Sequence, residues 1–190
     1  MKITNKLNAS IIIIAALFII IGCSSADQQG EANKVVDTAN KKLDDAKDLY
    51  SKTETRNTAL FNVNIQTIPQ FIYYKTKVAG EAKSIVADYE KVSEMLKDVS
   101  KQYDDISRMN VNEKYKEYAK IKSNEFATRA EAVAVRKGNA QGLAEIDDYR
   151  ILMQKFKENN DKSDKLFKDA EDTAAKAKKI EEENKEIFKA

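Results

Sequence analysis

The chain has 190 residues, 33 basic and 31 acidic, and 34% of its residues are charged. It contains no histidine, which excludes a serine–histidine–aspartate triad and any histidine-based metal site. The near balance of charge argues against nucleic acid as a partner, because phosphate binding needs an excess of lysine and arginine on one face. Many charged residues with only five glycines and one proline are typical of long-helix and coiled-coil proteins.

The first element is an apolar run, Ile11–Ile21, preceded by a segment whose only charged residues are Lys2 and Lys6. A basic start, an apolar middle and a small residue at the end are typical of an export signal. The run leads into Ile20-Ile21-Gly22-Cys23, and this tetrapeptide resembles the lipobox of bacterial lipoproteins. The resemblance implies that residues 1–22 are a signal peptide, and that the thiol and the new amino group of Cys23 are lipidated.

The resemblance also implies a location on the cell membrane or the outer membrane, with the rest of the chain on the extracytoplasmic side. Two other interpretations of the run stay open. A transmembrane helix needs roughly 20 apolar residues, and Ala9–Cys23 offers a run of fifteen residues with the polar Ser10 inside it. A plain secretory signal would leave Cys23 as a free thiol, which is unusual in an exported protein.

Cleavage before Cys23 would remove two lysines and no acid, leaving 31 basic and 31 acidic residues. Such a domain has no electrostatic means of holding an anionic membrane, so the lipid on Cys23 is expected to be the whole attachment. The small polar residues that follow predict a lipidated flexible tether over residues 23–30. Residues 31–190 are expected to form one helical-bundle domain.

Helix signals begin near Glu31, and a first helix is predicted from there to about Leu60. Its apolar and small residues recur at spacings of three and four, which places them on one helical stripe: Ala32, Val36, Ala39, Leu43, Ala46 and Tyr50. A turn is predicted at Gln66–Pro69, because proline disfavours helix at the residue before it and suits the first turn of a new helix.

The richest aromatic cluster surrounds this turn and consists of Phe61, Phe71, Tyr73 and Tyr74. One interpretation is an interaction surface at the far tip of a helical hairpin. A second is that the rings close the end of the core, as aromatic residues usually do. A third is that a small or apolar ligand binds between the helices near the cluster.

The second helix carries an unusually regular heptad pattern, which predicts coiled-coil packing. Its d positions are Phe71, Val78, Ile85, Val92, Val99 and Ile106, and its a positions are Lys75, Ala82, Tyr89, Leu96 and Tyr103. Ile72, Ala79 and Val86 widen the stripe at position e, so we expect this helix to contact more than one neighbour. A polar residue at a seam position, such as Lys75, is expected to fix register.

A third helix is predicted from about Asn112. Two glycines within Gly138–Gly142 favour a helix stop and restart there, whereas matched helix lengths favour a break near Asn160 instead. Asn160, like Lys75, is a polar residue at a seam position. The last helix has small or polar residues on much of its stripe, and we expect it to pack thinly and to fray near its end.

No catalytic residue, cofactor or metal site is predicted. Adjacent acids such as Asp147 and Asp148 project about 100° apart on a helix and do not converge on one ion, so they are interpreted as solvated. The predicted fold is all-α, an elongated antiparallel bundle of three to four long helices. The expected function is non-catalytic: a lipid-anchored helical module that spaces or binds another envelope or surface component. The alternative is a ligand-binding lipoprotein.

Overall fold

The computed structural model describes residues 26–188. It contains four long helices, α1 (Ala26–Phe61), α2 (Ile68–Ile106), α3 (Glu113–Glu145) and α4 (Tyr149–Glu183), followed by one turn, α5 (Lys185–Phe188). No strand occurs within this part of the chain. The prediction of an all-α bundle is therefore confirmed, and the number of long helices is four. Cys23 and the apolar run before it lie outside the described residues.

Consecutive helices run antiparallel. Between α1 and α2, Lys42 pairs with Asp98 at 2.9 Å and Arg56 pairs with Asp88 at 2.5 Å. The residue number of the partner in α2 therefore falls as the residue number in α1 rises. Buried serines link the other close pairs of helices. The Ser93 hydroxyl donates to the carbonyl oxygen of Ala130 at 3.1 Å, and the Ser163 hydroxyl donates to that of Ala132 at 3.0 Å.

The bundle closes through aromatic rings between α1 and α4. The rings of Tyr50 and Phe167 lie 5.7 Å apart between centroids, and those of Phe61 and Phe156 lie 4.1 Å apart and stacked. Large side chains thus bridge the first and last long helices, whereas small residues lie between α3 and α4. The result is an up-down-up-down bundle with one continuous core.

The topology gives the molecule two distinct ends. The distal end carries the α1–α2 connection, residues 62–67, and the α3–α4 connection, residues 146–148. The proximal end carries the start of α1, the α2–α3 connection, residues 107–112, and α5. Because α1 begins at the proximal end, residues that precede it in the chain join the bundle there.

Side-chain caps fix where α2, α3 and α4 begin. Thr67 accepts from the backbone N–H of Gln70, and the Gln70 side chain accepts in return from the backbone of Thr67, which is a capping box. Pro69 occupies the first turn of α2, as predicted. Asn112 and Asp148 cap α3 and α4 by accepting backbone N–H groups of the first turn, a role for which short polar side chains are preferred.

The first helix begins earlier than the sequence predicted. α1 starts at Ala26 rather than near Glu31, so the part of the predicted tether from residue 26 to residue 30 is helical. Gln29 in this segment is buried, and the side chain of Gln28 accepts from the backbone N–H of Asn110. Contacts with the α2–α3 connection therefore extend the helix into a polar segment that shows no apolar periodicity.

Both predicted positions for the break between the third and fourth helices are wrong. α3 continues through Gly138 and Gly142 to Glu145, and Asn160 lies inside α4. The glycines instead allow α3 and α4 to approach each other closely. A Cβ atom at Gly142 would lie 2.9 Å from Cδ1 of Leu152, and one at Gly138 would lie 3.0 Å from Nδ2 of Asn159. Their missing side chains make room for α4 on the flank of α3.

The break falls at residues 146–148, and it leaves four long helices of nearly equal length. They contain 36, 39, 33 and 35 residues, or roughly 50 to 58 Å at 1.5 Å per residue. Nearly equal lengths let neighbouring helices pack against each other along most of their extent. Matched helix lengths, which favoured a break near Asn160, are thus observed with the break at residues 146–148.

The last long helix packs thinly, as predicted. Its buried residues are Leu152, Ser163, Ala170 and Ala177. The predicted fraying near its end is not observed, because α5 follows α4 directly and places Phe188 in the core. Phe188 lies against the rings of Tyr115 and Tyr118, with centroids 5.4 and 5.0 Å away.

Candidate interaction surface

Two of the four predicted surface aromatics belong to the core. Phe61 and Phe71 are both buried. Phe61 stacks on Phe156, and the ring of Phe71 lies 5.5 Å from that of Tyr149. These rings close the distal end of the core, as the second interpretation of the cluster stated.

The two tyrosines of the cluster differ from each other. Tyr74 is half-buried, and its hydroxyl donates to the carbonyl oxygen of Leu60 at 2.7 Å. Burial raises the pKa of Tyr74 above its usual value. Tyr73 is 70% exposed. Of the four aromatics, only Tyr73 presents its ring to solvent at the distal end.

Three isoleucines that the sequence prediction did not assign to the surface join Tyr73. Ile68 is 72% exposed, Ile72 is 58% exposed and Ile151 is 57% exposed. Within the part of the chain whose burial is described, these three and Tyr73 are the exposed large hydrophobic side chains. All four lie in the first two turns of α2 or the first turn of α4, and therefore at the distal end.

The sequence signal for this surface is its lack of charged residues. The segment from Asn57 to Tyr74 contains no charged residue, in a chain with 34% charged residues. Depletion of charge is the compositional mark of the centre of a protein–protein interface. Ile151 lies outside this segment, and no comparable signal identifies it.

A continuous stripe runs up the outside of α2 from the distal end. We call Ile68, Ile72, Thr76 and Ala79 the outer stripe; all four are exposed, and their spacing of four, four and three places them on one helical face. A Cβ atom at neighbouring Gly80 would meet nothing within 4 Å. The stripe extends over roughly 17 Å of helix.

The charged residues of the distal half of α2 project in different directions around the helix. Lys77 and Lys83 are exposed, and neither forms an ion pair within the described residues. Glu81 is already bound by Arg56 at 2.6 Å, an interaction that lowers the pKa of its carboxyl group. At about 100° per residue, Lys83 projects within about 40° of Ala79, whereas Lys77 projects about 140° from Ile72 and lies on another face of α2.

Lys75, the polar residue at a seam position, lies on the inner side of the same helix. Its ammonium group donates to the carbonyl oxygen of Ile146 at 3.1 Å and to Oδ1 of Asp147 at 2.6 Å. It thereby joins the start of α2 to the α3–α4 connection. The contact agrees with the expected role in register, since it links the two connections of the distal end.

A second polar contact region lies in the middle of the bundle. The Tyr89 hydroxyl donates to Glu54 at 2.6 Å, and Arg136 donates to Asp164 at 2.6 Å. Burial and the neighbouring Glu54 raise the pKa of Tyr89. Asn160, the other polar seam residue, accepts from Arg136. The four long helices each contribute a polar side chain here, an arrangement that fixes the alignment of helices in a bundle.

The adjacent carboxylates have structural partners. The backbone N–H groups of Arg150 and Ile151 donate to Asp148 and hold the pKa of its carboxyl group below the usual value. Asp104 is bound by Lys120 at 2.6 Å, which likewise lowers its pKa. No group of residues suited to hold a metal ion occurs between residues 26 and 188.

Two concave sites of the described chain lie away from the aromatic cluster. One is a narrow apolar cavity of about 30 Å³ in the middle of the bundle, beside Tyr50 and Phe167. The other is an open groove of about 350 Å³ on the outside of α3 and α4, beside Gly142 and Asn159. None of the four cluster aromatics lines either of these two sites.

Comparison with known proteins yields no family model, no curated protein and no solved structure that matches the chain. Within residues 26–188, no helix has an apolar stretch long enough to cross a membrane. The candidate site therefore rests on the geometry of the chain itself.

Proposed function

We propose that this protein is a non-catalytic, lipid-anchored module of the cell envelope, attached through Cys23 and binding another envelope protein with its distal end. The observation that carries the proposal is the position of the exposed large hydrophobic residues. Ile68, Ile72, Tyr73 and Ile151 all lie at the end of the bundle opposite the start of α1. Exposed apolar patches of this kind mark interaction sites in soluble domains.

The helix lengths support a spacer role. α1 contains 36 residues, so the distal end lies roughly 54 Å along the bundle from the residue where α1 begins. A lipid on Cys23, only three residues before α1, would hold the proximal end at the bilayer. The distal end would then stand clear of the headgroups, where it can reach a component that is not itself at the membrane surface.

The anchor is tested by replacing Cys23 with serine in the full chain. We expect the parent protein to incorporate labelled palmitate and to fractionate with membranes, because two or more acyl chains hold a protein stably at a bilayer. The Cys23→Ser variant should incorporate none and should leave the membrane fraction with its bundle folded. Equal palmitate incorporation into the variant and the parent would refute the proposed anchor.

The binding surface is tested by chemical crosslinking in the native envelope. We expect the lipidated parent to form a crosslinked complex with a second protein, and Ile72→Asp to lose it, because a charge at an exposed apolar contact must be desolvated on binding. Lys101→Asp, an exposed change near the other end of α2, is the matched control and should keep the complex. A complex that survives Ile72→Asp would place the binding surface elsewhere.

A further inference from the structure

We infer that α4 and α5 form a C-terminal arm, residues 149–188, which detaches as a unit while α1, α2 and α3 stay folded together. Detachment of the arm requires neither the lipid anchor nor a partner at the distal end. Three features of the structure support it: the small amount of surface that α4 buries, the polar contacts that hold α4 to α3, and the incomplete packing between α4 and α1.

The long helices differ in how much they bury. α2 has ten buried residues and α3 has twelve, whereas α4 has four. Of these four, only Leu152 has a large apolar side chain, and the others are Ser163, Ala170 and Ala177. The rings of Phe156 and Phe167 are half-buried. Because burial stabilises in proportion to the apolar area removed from water, α4 is held by less hydrophobic stabilisation than α2 or α3.

Much of the attachment of α4 to α3 is polar. Three hydrogen-bonded contacts join the middle of the two helices: Arg136 to Asp164 at 2.6 Å, Asn139 to Asn160 at 2.8 Å, and Ser163 to the carbonyl oxygen of Ala132 at 3.0 Å. When the helices separate, these groups exchange their partners for water, so each contact makes only a small net contribution. Separation of α4 from α3 therefore costs less than separation of helices joined by large apolar side chains.

On its other side, α4 meets α1 mainly through rings. Close backbone approach joins each pair of consecutive long helices, and it is nearly absent between α1 and α4 among the described residues. The rings of Tyr50 and Phe167 bridge the gap, as do those of Phe61 and Phe156. A narrow cavity of about 30 Å³ remains beside the first pair. Atoms that line a cavity lose packing contacts, so the packing across this boundary is incomplete.

The arm covers aromatic rings along the length of the bundle. Each of its three phenylalanines lies against rings of the first three helices: Phe156 against Phe61, Phe167 against Tyr50, and Phe188 against Tyr115 and Tyr118. Detachment of the arm uncovers these rings together, because the three phenylalanines belong to one segment. The open form thus presents an apolar surface that the closed bundle does not, in addition to the residues exposed at the distal end.

Detachment is tested by native-state hydrogen exchange of the full chain, followed by mass spectrometry, in urea below the unfolding transition. We expect the amides of residues 150–183 to be at least about tenfold less protected than those of residues 82–106, because they also exchange through the smaller opening. Their protection should depend less on urea, since detachment exposes less surface than unfolding. Equal protection and equal urea dependence of the two segments would mean that the bundle opens only as a whole, which overturns the inference.

Two substitutions distinguish detachment of the arm from fraying of α4. Leu152→Ala removes a contact that is lost in both the partial and the complete opening. It should therefore lower protection throughout α4 and also in α2, by about tenfold or more. Val99→Ala removes buried contacts of α2, a helix that packs closely against α1 and α3 and keeps these contacts when the arm detaches. It should lower protection in α2 and leave α4 unchanged.

The pattern across the two variants decides the outcome. If Val99→Ala lowers protection in α4 as much as in α2, the arm does not open separately. If Leu152→Ala leaves residues 170–183 unchanged, α4 frays from its end rather than detaching as a unit. Either result would overturn the inference. Ser163→Ala, which removes only the hydrogen bond to Ala132, is a milder change with the same expected pattern and replaces Leu152→Ala if that variant does not fold.

Discussion

The two ends of the bundle differ in whether their large apolar side chains are covered. At the proximal end, Tyr103, Tyr115, Phe126 and Phe188 are all buried, and α5 supplies the last of these rings. At the distal end, Phe61 and Phe71 are buried, but a second layer of large apolar side chains lies outside them in solvent. One end is sealed by the chain itself, and the other is not.

The difference shows that large apolar side chains are not exposed simply because they lie at the end of a bundle. Both ends contain connections of similar length, and both are built around rings. The proximal end acquires a covering element, the single turn of α5, whereas the outer stripe of α2 has none within the described residues. Isoleucines that stay exposed at one end, while the chain covers the other end, are expected where a partner binds.

The largest effect is expected from removing the covering ring of the proximal end. Phe188→Ala should lower the free energy of unfolding by about 3 kcal/mol, because a buried phenylalanine and its packing are lost. Urea unfolding followed by circular dichroism measures the change. Tyr73→Ala at the distal end is the control and should lie within about 0.5 kcal/mol of the parent. Similar losses for both variants would remove the contrast between the ends.

A smaller loss is expected where α3 and α4 approach each other closely. Gly142→Val should destabilise the bundle by about 2 kcal/mol, because the new side chain collides with buried Leu152. Thermal unfolding of Gly30→Val gives the comparison, since a Cβ atom at Gly30 would meet nothing within 4 Å. If the two glycines tolerate valine equally, they are interchangeable and the close approach is not a constraint.

The contact between α2 and the α3–α4 connection should contribute less. Lys75→Met should lower stability by about 1 kcal/mol, because the Ile146 carbonyl and Asp147 lose their charged donor. Lys77→Met, which removes an unpaired lysine two residues away, should change stability by less than about 0.5 kcal/mol. Equal unfolding midpoints for the two variants would show that the contacts of Lys75 do not stabilise the bundle.

The smallest effect on stability, with the largest on binding, is expected at the outer stripe. Ile72→Asp should leave the free energy of unfolding within about 0.5 kcal/mol of the parent, because the side chain is already largely exposed. The helical circular dichroism signal and the urea midpoint measure this. A loss of 2 kcal/mol or more would mean that Ile72 is part of the core, which contradicts its position on the surface.

Much of the fold was predictable because helical periodicity is a local property. The heptad from Phe71 to Ile106 locates α2 within a few residues of its observed bounds, Ile68–Ile106. The break between α3 and α4 was not predictable in the same way. Gly138 and Gly142 have the composition of a helix stop, but their role is contact with residues far along the chain, which only the packed structure reveals.

The interaction surface was predictable only in part, for a similar reason. The e stripe of α2 and the aromatic cluster both follow from the sequence, and Tyr73 was among the predicted residues. Which of these side chains is covered depends on how the four helices pack. Phe71 and Ile72 are adjacent in the chain and equally apolar, yet one is buried against Tyr149 and the other faces solvent. The lipidation of Cys23 stays a prediction.

The central claim is that the distal end is covered by another protein in the native envelope. It is tested by thiol labelling of Ile72→Cys in the lipidated chain, in intact envelopes and after purification in detergent, with Lys101→Cys, an exposed position near the proximal end of α2, as the comparison. We predict that the cysteine at position 72 is protected in the envelope and reactive after purification, whereas the one at position 101 is equally reactive in both preparations. Equal reactivity of position 72 in both preparations would contradict the account.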